Sequence, residues 1–189
     1  MDEYQEYKGQ ILGENDNGET EKLKADSITE SLKTISTDES AVHNKQGFSI
    51  SGIFGTVVDS ASVNYAFKTP TVESGKIIHY EINDIQSTTN NKVRVDFYEV
   101  PIAPASGSDV VAYNHYRVGE VVESAMQAIK FNATLDMSDA VMLDYHYLSN
   151  HLQSMEWVLK PNQWYVRIIS NLSGGTIDVS FYDFWIEED

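Results

Sequence analysis

The residues that most constrain the fold are 156–186, near the carboxyl end, where large side chains alternate along two successive runs. Apolar or aromatic residues recur at every second position in residues 164–169 and again in residues 177–182. A period of two is typical of β-strands, whose successive side chains point to opposite faces. Between the runs, Gly174 and Gly175 accept the positive φ of a tight turn. The pattern predicts two antiparallel neighbouring strands joined as a hairpin.

The second run is apolar on both faces near its end. Tyr182, Phe184 and Ile186 share one face, while Phe181 and Trp185 share the other. A strand of this kind needs cover on both sides. We expect one face to be the core of the domain and predict that Tyr182, Phe184 and Ile186 contact another copy of the chain. The alternative, in which both faces pack inside one fold, stays open.

Shorter alternating runs precede this stretch, separated by polar segments or by segments containing Gly and Pro. The predicted strands cover residues 48–58, 63–67, 77–82, 93–97 and 141–147, the last with Val141, Leu143, Tyr145 and Tyr147 on one side. Residues 118–128 favour either a helix or a loop, followed by a strand at 128–135. About eight strands with short connections predict an all-β fold, an antiparallel β-sandwich that is jelly-roll-like.

The amino-terminal residues differ in composition from this region. Residues 1–27 are polar and acidic without a sustained period, so we predict an extended N-terminal arm or linker before a β-sandwich domain at 28–189. Residues 28–36 fit either a short helix or a first strand, and we expect them to enter that domain as a strand. A tail without a role is the alternative to an arm that grips a neighbour. The side chains available for such a grip are Tyr4, Tyr7, Ile11 and Leu12.

Composition excludes several classes of protein. A chain of 189 residues fits one domain, and such a domain buries roughly 70% of its unfolded surface without disulfides. The absence of cysteine excludes a disulfide framework and thiolate metal sites. A net charge of -16 repels phosphate backbones, so we expect no nucleic-acid partner. With no long apolar run and an acidic start, we expect no membrane span and no secretory signal.

No motif assigns catalysis, a cofactor or a metal. The five histidines do not show zinc-protease spacing. His146 and His151 could bind the same metal ion only if the chain turned at Asn150. The serine-rich stretch 49–52 lacks an obvious base. We therefore predict no enzyme, with no catalytic, cofactor-binding or metal-binding residues.

Paired carboxylates for glycoside chemistry depend on distance in space rather than on sequence spacing. Asp96 with Glu99, or Asp178 with Asp183, would qualify only if both members lined one groove. Solvated strand faces explain these residues more simply.

Five short stretches carry a resemblance to known proteins. They read LKTIS at 32–36, VNYAFKTP at 63–70, EWVLKPNQWYVRI at 156–168, NLSGG at 171–175 and YDFWIE at 182–187. Their pattern and order resemble a family of tailed-bacteriophage virion proteins found with head-structure genes, the capsid decoration, auxiliary or head-fibre proteins. The resemblance implies a β-sandwich with no catalytic residues to transfer.

The resemblance also implies a function and a location. We expect a non-enzymatic virion structural protein that decorates or stabilises the capsid exterior and is made in the cytoplasm of the bacterial host. Its partner would be the major capsid protein, gripped through the N-terminal arm. We further expect a homo-oligomer, with a trimer favoured, because three arms combine modest affinities through effective concentration.

Two other functions stay open from the sequence. The first is a receptor- or glycan-binding virion fibre module that uses exposed tyrosines together with Trp157, Trp164 or Trp185. The second is a hydrolase of cell-surface sugars, which requires a carboxylate pair in a cleft.

Overall fold

The computed structural model describes residues 12–14, 20–22, 44–88, 92–115, 122–148 and 156–189. The chain divides into two units, Met1–Thr37 and Asp38–Asp189.

In the first unit, two short strands pair antiparallel. Strand β1 (Leu12–Glu14) lies beside β2 (Thr20–Lys22), with Leu12 opposite Lys22. The predicted arm residues Tyr4, Tyr7 and Ile11 lie outside the described residues, as do the predicted boundary at 27/28 and the predicted strand at 28–36.

The second unit consists almost entirely of β-strands, with one 3-10 turn (Val72–Ser74) in its described part. The strands are β3 (Gly47–Val57), β4 (Ser62–Lys68), β5 (Ile77–Ser87), β6 (Val93–Val100), β7 (Ser108–Asp109), β8 (Tyr113–Asn114), β9 (Ala128–Phe131), β10 (Val141–Tyr147), β11 (Glu156–Leu159), β12 (Trp164–Asn171) and β13 (Ile177–Glu188). They form a six-stranded sheet, in the order β10-β6-β12-β4-β9-β7, and a five-stranded sheet, in the order β11-β5-β13-β3-β8. Every pairing is antiparallel.

The strand order is that of a jelly roll. The eight principal strands are, along the chain, β3, β4, β5, β6, β10, β11, β12 and β13. The first, eighth, third and sixth of them are neighbours in one sheet, and the second, seventh, fourth and fifth are neighbours in the other. Two interleaved Greek keys produce this arrangement. The predicted all-β, jelly-roll-like sandwich is confirmed.

Aromatic rings fill the space between the sheets, as the alternating pattern predicted. Tyr65 of β4 stacks on Phe181 of β13 with ring centroids 4.5 Å apart, and Phe67 lies 4.9 Å from Tyr80 across the same gap. Such ring pairs each contribute about 0.5–1.5 kcal/mol beyond the burial of their area. Trp185 is also buried here, so the predicted inner face of the last strand is confirmed.

Part of the outer face of the six-stranded sheet is covered by the segment that follows β9. Its residues Leu135 and Met137 pack on a small apolar cluster formed by Ala66, Val100, Ala133 and Val166. The side chain of Asn64 fixes this segment, since it donates to the Ala133 carbonyl at 3.1 Å and accepts from the Ala133 amide at 2.9 Å. Residues 132–140 therefore form a loop over the sheet, and the predicted strand at 128–135 ends at Phe131.

The predicted hairpin between the last two strands is wrong. Strand β12 lies in the six-stranded sheet and β13 in the five-stranded sheet, so residues 172–176 carry the chain from one sheet to the other. The buried Asn171 holds this crossing, because its side-chain amide donates to the carbonyls of Val57 at 2.9 Å and Gly175 at 2.7 Å. Gly174 has the expected positive φ, 81°. The glycine signal predicted a turn correctly, but each strand pairs with other neighbours.

The predicted face of β10 is also wrong. A register shift between Met142 and Asp144 leaves Leu143 as an extra residue opposite β6. Leu143 packs against the core, whereas Tyr145 and Tyr147 are 58% and 52% exposed. One extra residue reverses the faces of all the residues after it. The strand at 141–147 is therefore confirmed, but its four apolar side chains do not share one side.

Candidate functional site

Four polar side chains meet between the two sheets, and we call them the inter-sheet cluster: Arg167, Asp183, Tyr65 and Tyr80. Arg167 Nη1 donates to Asp183 Oδ1 at 2.8 Å and to the Tyr65 hydroxyl at 3.0 Å. The hydroxyls of Tyr65 and Tyr80 both donate to Asp183 Oδ2. All four side chains are at most 1% exposed. The cluster links β4 and β12 of one sheet to β5 and β13 of the other.

The electrostatics of the inter-sheet cluster follow from its burial. Loss of hydration raises the pKa of Asp183 well above its ordinary value. It also lowers the pKa of Arg167, whereas interaction with Tyr80 raises the pKa of Arg167. Burial also raises the pKa of Tyr80 to about 12, against the attraction of Arg167. Because these four side chains are buried, they are not accessible to a substrate. Their hydrogen bonds instead join the two sheets.

The inter-sheet cluster extends toward the edge strand β10. The bulge at Leu143 turns Asp144 inward, and the charge of Asp144 raises the pKa of Arg167. His146 lies 3.5 Å from Asp144, between Nδ1 and Oδ2. Burial and the charge of Arg167 lower the pKa of His146, while Asp144 opposes them. Within the described residues, Arg167 Nε and Nη2 and Trp157 Nε1 are buried without a hydrogen-bond partner.

Sequence reasoning missed the inter-sheet cluster, although a signal was present. Arg167 shares its strand face with Tyr165 and Ile169, and Asp183 shares its face with Phe181 and Trp185. Two opposite charges therefore lie on two apolar faces, a pattern that favours a buried ion pair.

A second polar group lies on the outer face of the five-stranded sheet. His115 Nε2 is 2.8 Å from Ser49 Oγ and 3.1 Å from the Tyr182 hydroxyl. The structure thus supplies Ser49 with the neighbouring imidazole that the sequence did not reveal. A serine beside a histidine is half of a nucleophile and base arrangement. Ser49 is only 7% exposed, however, so here the pair joins residue 115 to the sheet.

The three predicted subunit-contact residues lie on this same outer face. Tyr182 is half-buried, while Phe184 and Ile186 are 6% and 4% exposed within a single chain. His115 packs edge-on against Phe184 with ring centroids 5.2 Å apart. The surface predicted for subunit contact is therefore already covered at Phe184 and Ile186. Contact with another copy stays a prediction.

A cavity of about 700 Å³ lies beside β8 and the segment 122–129. Its lining includes the exposed apolar side chains Val111, Tyr113 and Val122. The Glu187 carboxylate anchors one wall, because it accepts from the Ala125 amide at 2.9 Å. The cavity thus has a wall fixed to the last strand.

Two exposed tyrosines and an ion pair lie side by side on the outer face of β10 and β6, and we call these residues the tyrosine face: Tyr145, Tyr147, Arg94 and Asp96. Arg94 Nε donates to Asp96 Oδ1 at 2.7 Å, and the Arg94 guanidinium carbon lies 5.2 Å from the centre of the Tyr145 ring. Hydrogen bonding and charge from Asp96 raise the pKa of Arg94. Of the aromatic residues considered from sequence, Tyr113, Tyr145 and Tyr147 are more than half exposed, whereas Trp185 is buried and Trp157 and Trp164 are partly buried.

The structure separates both candidate carboxylate pairs. Asp183 is buried in the inter-sheet cluster, whereas Asp178 is exposed on the opposite face of β13. Asp96 belongs to the tyrosine face, and Glu99 faces the other side of β6, where it accepts from Lys160. Neither pair lines a common groove. The simpler interpretation, solvated strand faces, holds for Asp178 but is wrong for the buried Asp183 and Asp96.

The histidines lie apart from one another in the described part of the chain. His79 pairs with Glu188 on the outer face, whereas His146 faces the interior, and His151 lies outside the described residues. The described residues contain no group of three or more His, Cys, Asp or Glu side chains that could hold a metal ion.

Comparison with known proteins adds no relative. No protein-family model, curated protein or solved structure matches the chain. Where residues are described, no helix is both long and apolar enough to cross a membrane.

Proposed function

We propose that the chain is a non-enzymatic structural protein of a tailed-bacteriophage virion that decorates the outside of the capsid. The observation that carries this proposal is the domain arrangement, a separate N-terminal unit followed by a complete jelly roll. The sequence resemblance in residues 32–36, 63–70 and 156–187 points in the same direction.

The N-terminal unit supplies the attachment. Its apolar residues Tyr4, Tyr7, Ile11 and Leu12 are the anchors that would bind the major capsid protein. A single short segment makes few contacts and therefore binds weakly. Arms joined in one oligomer raise the effective concentration of each further contact with a repeating lattice.

The sandwich unit supplies the exposed body. Its polar inter-sheet cluster and aromatic core stabilise it without disulfides, which suits a protein made in the host cytoplasm. A net charge of -16 keeps decorated particles apart by repulsion.

Co-sedimentation tests the attachment. Capsids that lack the protein are mixed with the full chain, with a chain lacking residues 1–27, and with a variant carrying serine at positions 4, 7, 11 and 12. We expect the full chain to pellet with capsids and both altered chains to lose at least about tenfold in affinity.

A charge variant is the matched control for this experiment. Substitutions Glu14→Gln, Asp16→Asn and Glu19→Gln leave the four apolar anchors in place, so this chain should still pellet with capsids. Equal binding by the serine variant and the full chain would exclude the arm as the attachment. Absence of the protein from purified virions would exclude the proposed function itself.

A further inference from the structure

The bulge in β10 places two large rings in water. Had β10 kept the register in which Val141 lies opposite Glu99, Tyr145 and Tyr147 would face the core with Leu143. Instead they are 58% and 52% exposed at alternate positions of one strand. Bulges are often found where a strand must re-aim its side chains for function. The two rings together form an exposed patch on one face, and exposed apolar patches are often interaction sites.

The neighbouring residues hold these rings in a defined place. Arg94 lies over Tyr145 and is itself fixed by the 2.7 Å bond from its Nε to Asp96. Asp96 is 7% exposed, so the ion pair is anchored at the base of the tyrosine face. A guanidinium fixed through Nε can direct its remaining N–H groups to a ligand hydroxyl.

We propose that the tyrosine face binds a neutral saccharide. The apolar C–H face of a sugar ring packs on an aromatic ring, and its hydroxyls both donate to carboxylates and accept from guanidinium groups. Arg94 donates hydrogen bonds and Asp96 accepts them, so the face offers both kinds. Because their charges cancel, the face does not select a charged ligand. The net charge of -16 on the whole chain repels acidic sugars. This inference goes beyond capsid attachment and does not depend on it.

A second copy of the chain fits this face less well. β10 is an edge strand, and edge strands pair with one another when they are regular and flat. The extra residue at Leu143 interrupts the hydrogen-bonding ladder of β10, which opposes such pairing. The edge of β10 therefore does not favour pairing with a second copy.

The test measures binding of the full-length protein to an array of neutral and acidic oligosaccharides, followed by calorimetry with the neutral ligand that binds best. We expect Tyr145→Ala and Tyr147→Ala each to weaken binding at least about tenfold, because each removes one ring contact. Tyr145→Phe should keep most of the affinity, since the ring is retained. Tyr113→Ala, which removes an exposed tyrosine on the other sheet, should change nothing.

Three results would overturn the proposal. The first is no binding of any neutral oligosaccharide at millimolar concentration. The second is affinity that is unchanged in both alanine variants, or that is highest for acidic sugars. The third is a fall in the mass of the protein in solution caused by Tyr145→Ala or Tyr147→Ala, which would show that the face joins two copies. Circular dichroism of each variant confirms that the exposed substitutions leave the fold intact.

Discussion

Arg167 and Asp183 form an ion pair that neither water nor salt can reach, and this determines how substitutions there should behave. Removing one partner of a buried pair leaves a charge without compensation, at a cost of about 3–5 kcal/mol. We therefore expect Arg167→Met to lower the free energy of unfolding by about that amount, measured by urea denaturation. Replacing both partners with apolar residues of similar volume is often close to neutral. The double variant Arg167→Met with Asp183→Leu should accordingly recover part of the loss. The hydroxyls of Tyr65 and Tyr80 lose Asp183 as their acceptor but remain 3.1 Å from each other.

The exposed pair of Lys160 and Glu99 is the matched control. Lys160 is 71% exposed, and surface ion pairs contribute about 0–1 kcal/mol. Lys160→Met should change the free energy of unfolding by no more than that. If the double variant at 167 and 183 were as unstable as the sum of its single variants, the pair would not be the coupled unit that its hydrogen bonds indicate.

Phe184 tests whether the outer face of β13 is covered by its own chain. Because the side chain is 6% exposed in one copy, Phe184→Ala should cost about 3–5 kcal/mol of unfolding free energy, independent of protein concentration. The control is Ile53→Ala, on the same outer face but 81% exposed, which should stay within about 0.5 kcal/mol. If the effect of Phe184→Ala appeared only on dilution, the contact would instead be with another subunit.

At the scale of single elements, the crossing between β12 and β13 depends on Asn171. Its buried side-chain amide donates hydrogen bonds to the carbonyls of Val57 and Gly175. In Asn171→Ala both carbonyls lose this donor. We expect a loss of about 1–3 kcal/mol in the free energy of unfolding by chemical denaturation. Ser173→Ala removes a more exposed bond to the same Gly175 carbonyl and should cost less. Equal losses in the two variants would contradict the assigned role of Asn171.

The edge strand β10 should make stability depend on pH through His146. An unfolded histidine has a pKa of about 6.5, whereas burial and Arg167 lower the pKa of His146 in the folded chain. As pH falls below about 6.5, the unfolded state therefore takes up a proton that the folded state does not, and the free energy of unfolding decreases. In His146→Gln, the free energy of unfolding should therefore change less between about pH 6.5 and 5 than in the wild type. The control His79→Gln, on the outer face, should keep the pH dependence of the wild type. Parallel curves for wild type and His146→Gln would refute the assignment.

These elements also show what the sequence could and could not predict. Alternation located nearly every long strand, because which face a residue occupies is a local property of the backbone. The partner of a strand is not local, so the glycines at 174 and 175 predicted a turn but not a change of sheet. The extra residue at Leu143 leaves no compositional mark, and it reversed the expected positions of Tyr145 and Tyr147. The tyrosine face therefore could not be located from sequence, although exposed tyrosines were expected.

For the whole molecule, the open question is how copies associate. We expect the purified full chain to form a homo-oligomer, with a trimer favoured, and light scattering should then give three times the chain mass of 21.3 kDa. Since Phe184 and Ile186 are covered within one copy, these two side chains offer little apolar area to a partner. We therefore expect the N-terminal unit to contribute to association, and deleting residues 1–27 should lower the mass.

The deletion separates two routes to the same assembly. A trimer that persists without residues 1–27 would place the contacts on the sandwich, and Tyr182, at the half-buried end of the outer face, would be the first residue to test. A full chain that remains a monomer at all concentrations would exclude the oligomer. Attachment to a capsid would then rely on many single arms, each binding its own lattice position, because effective concentration rises only when arms are joined.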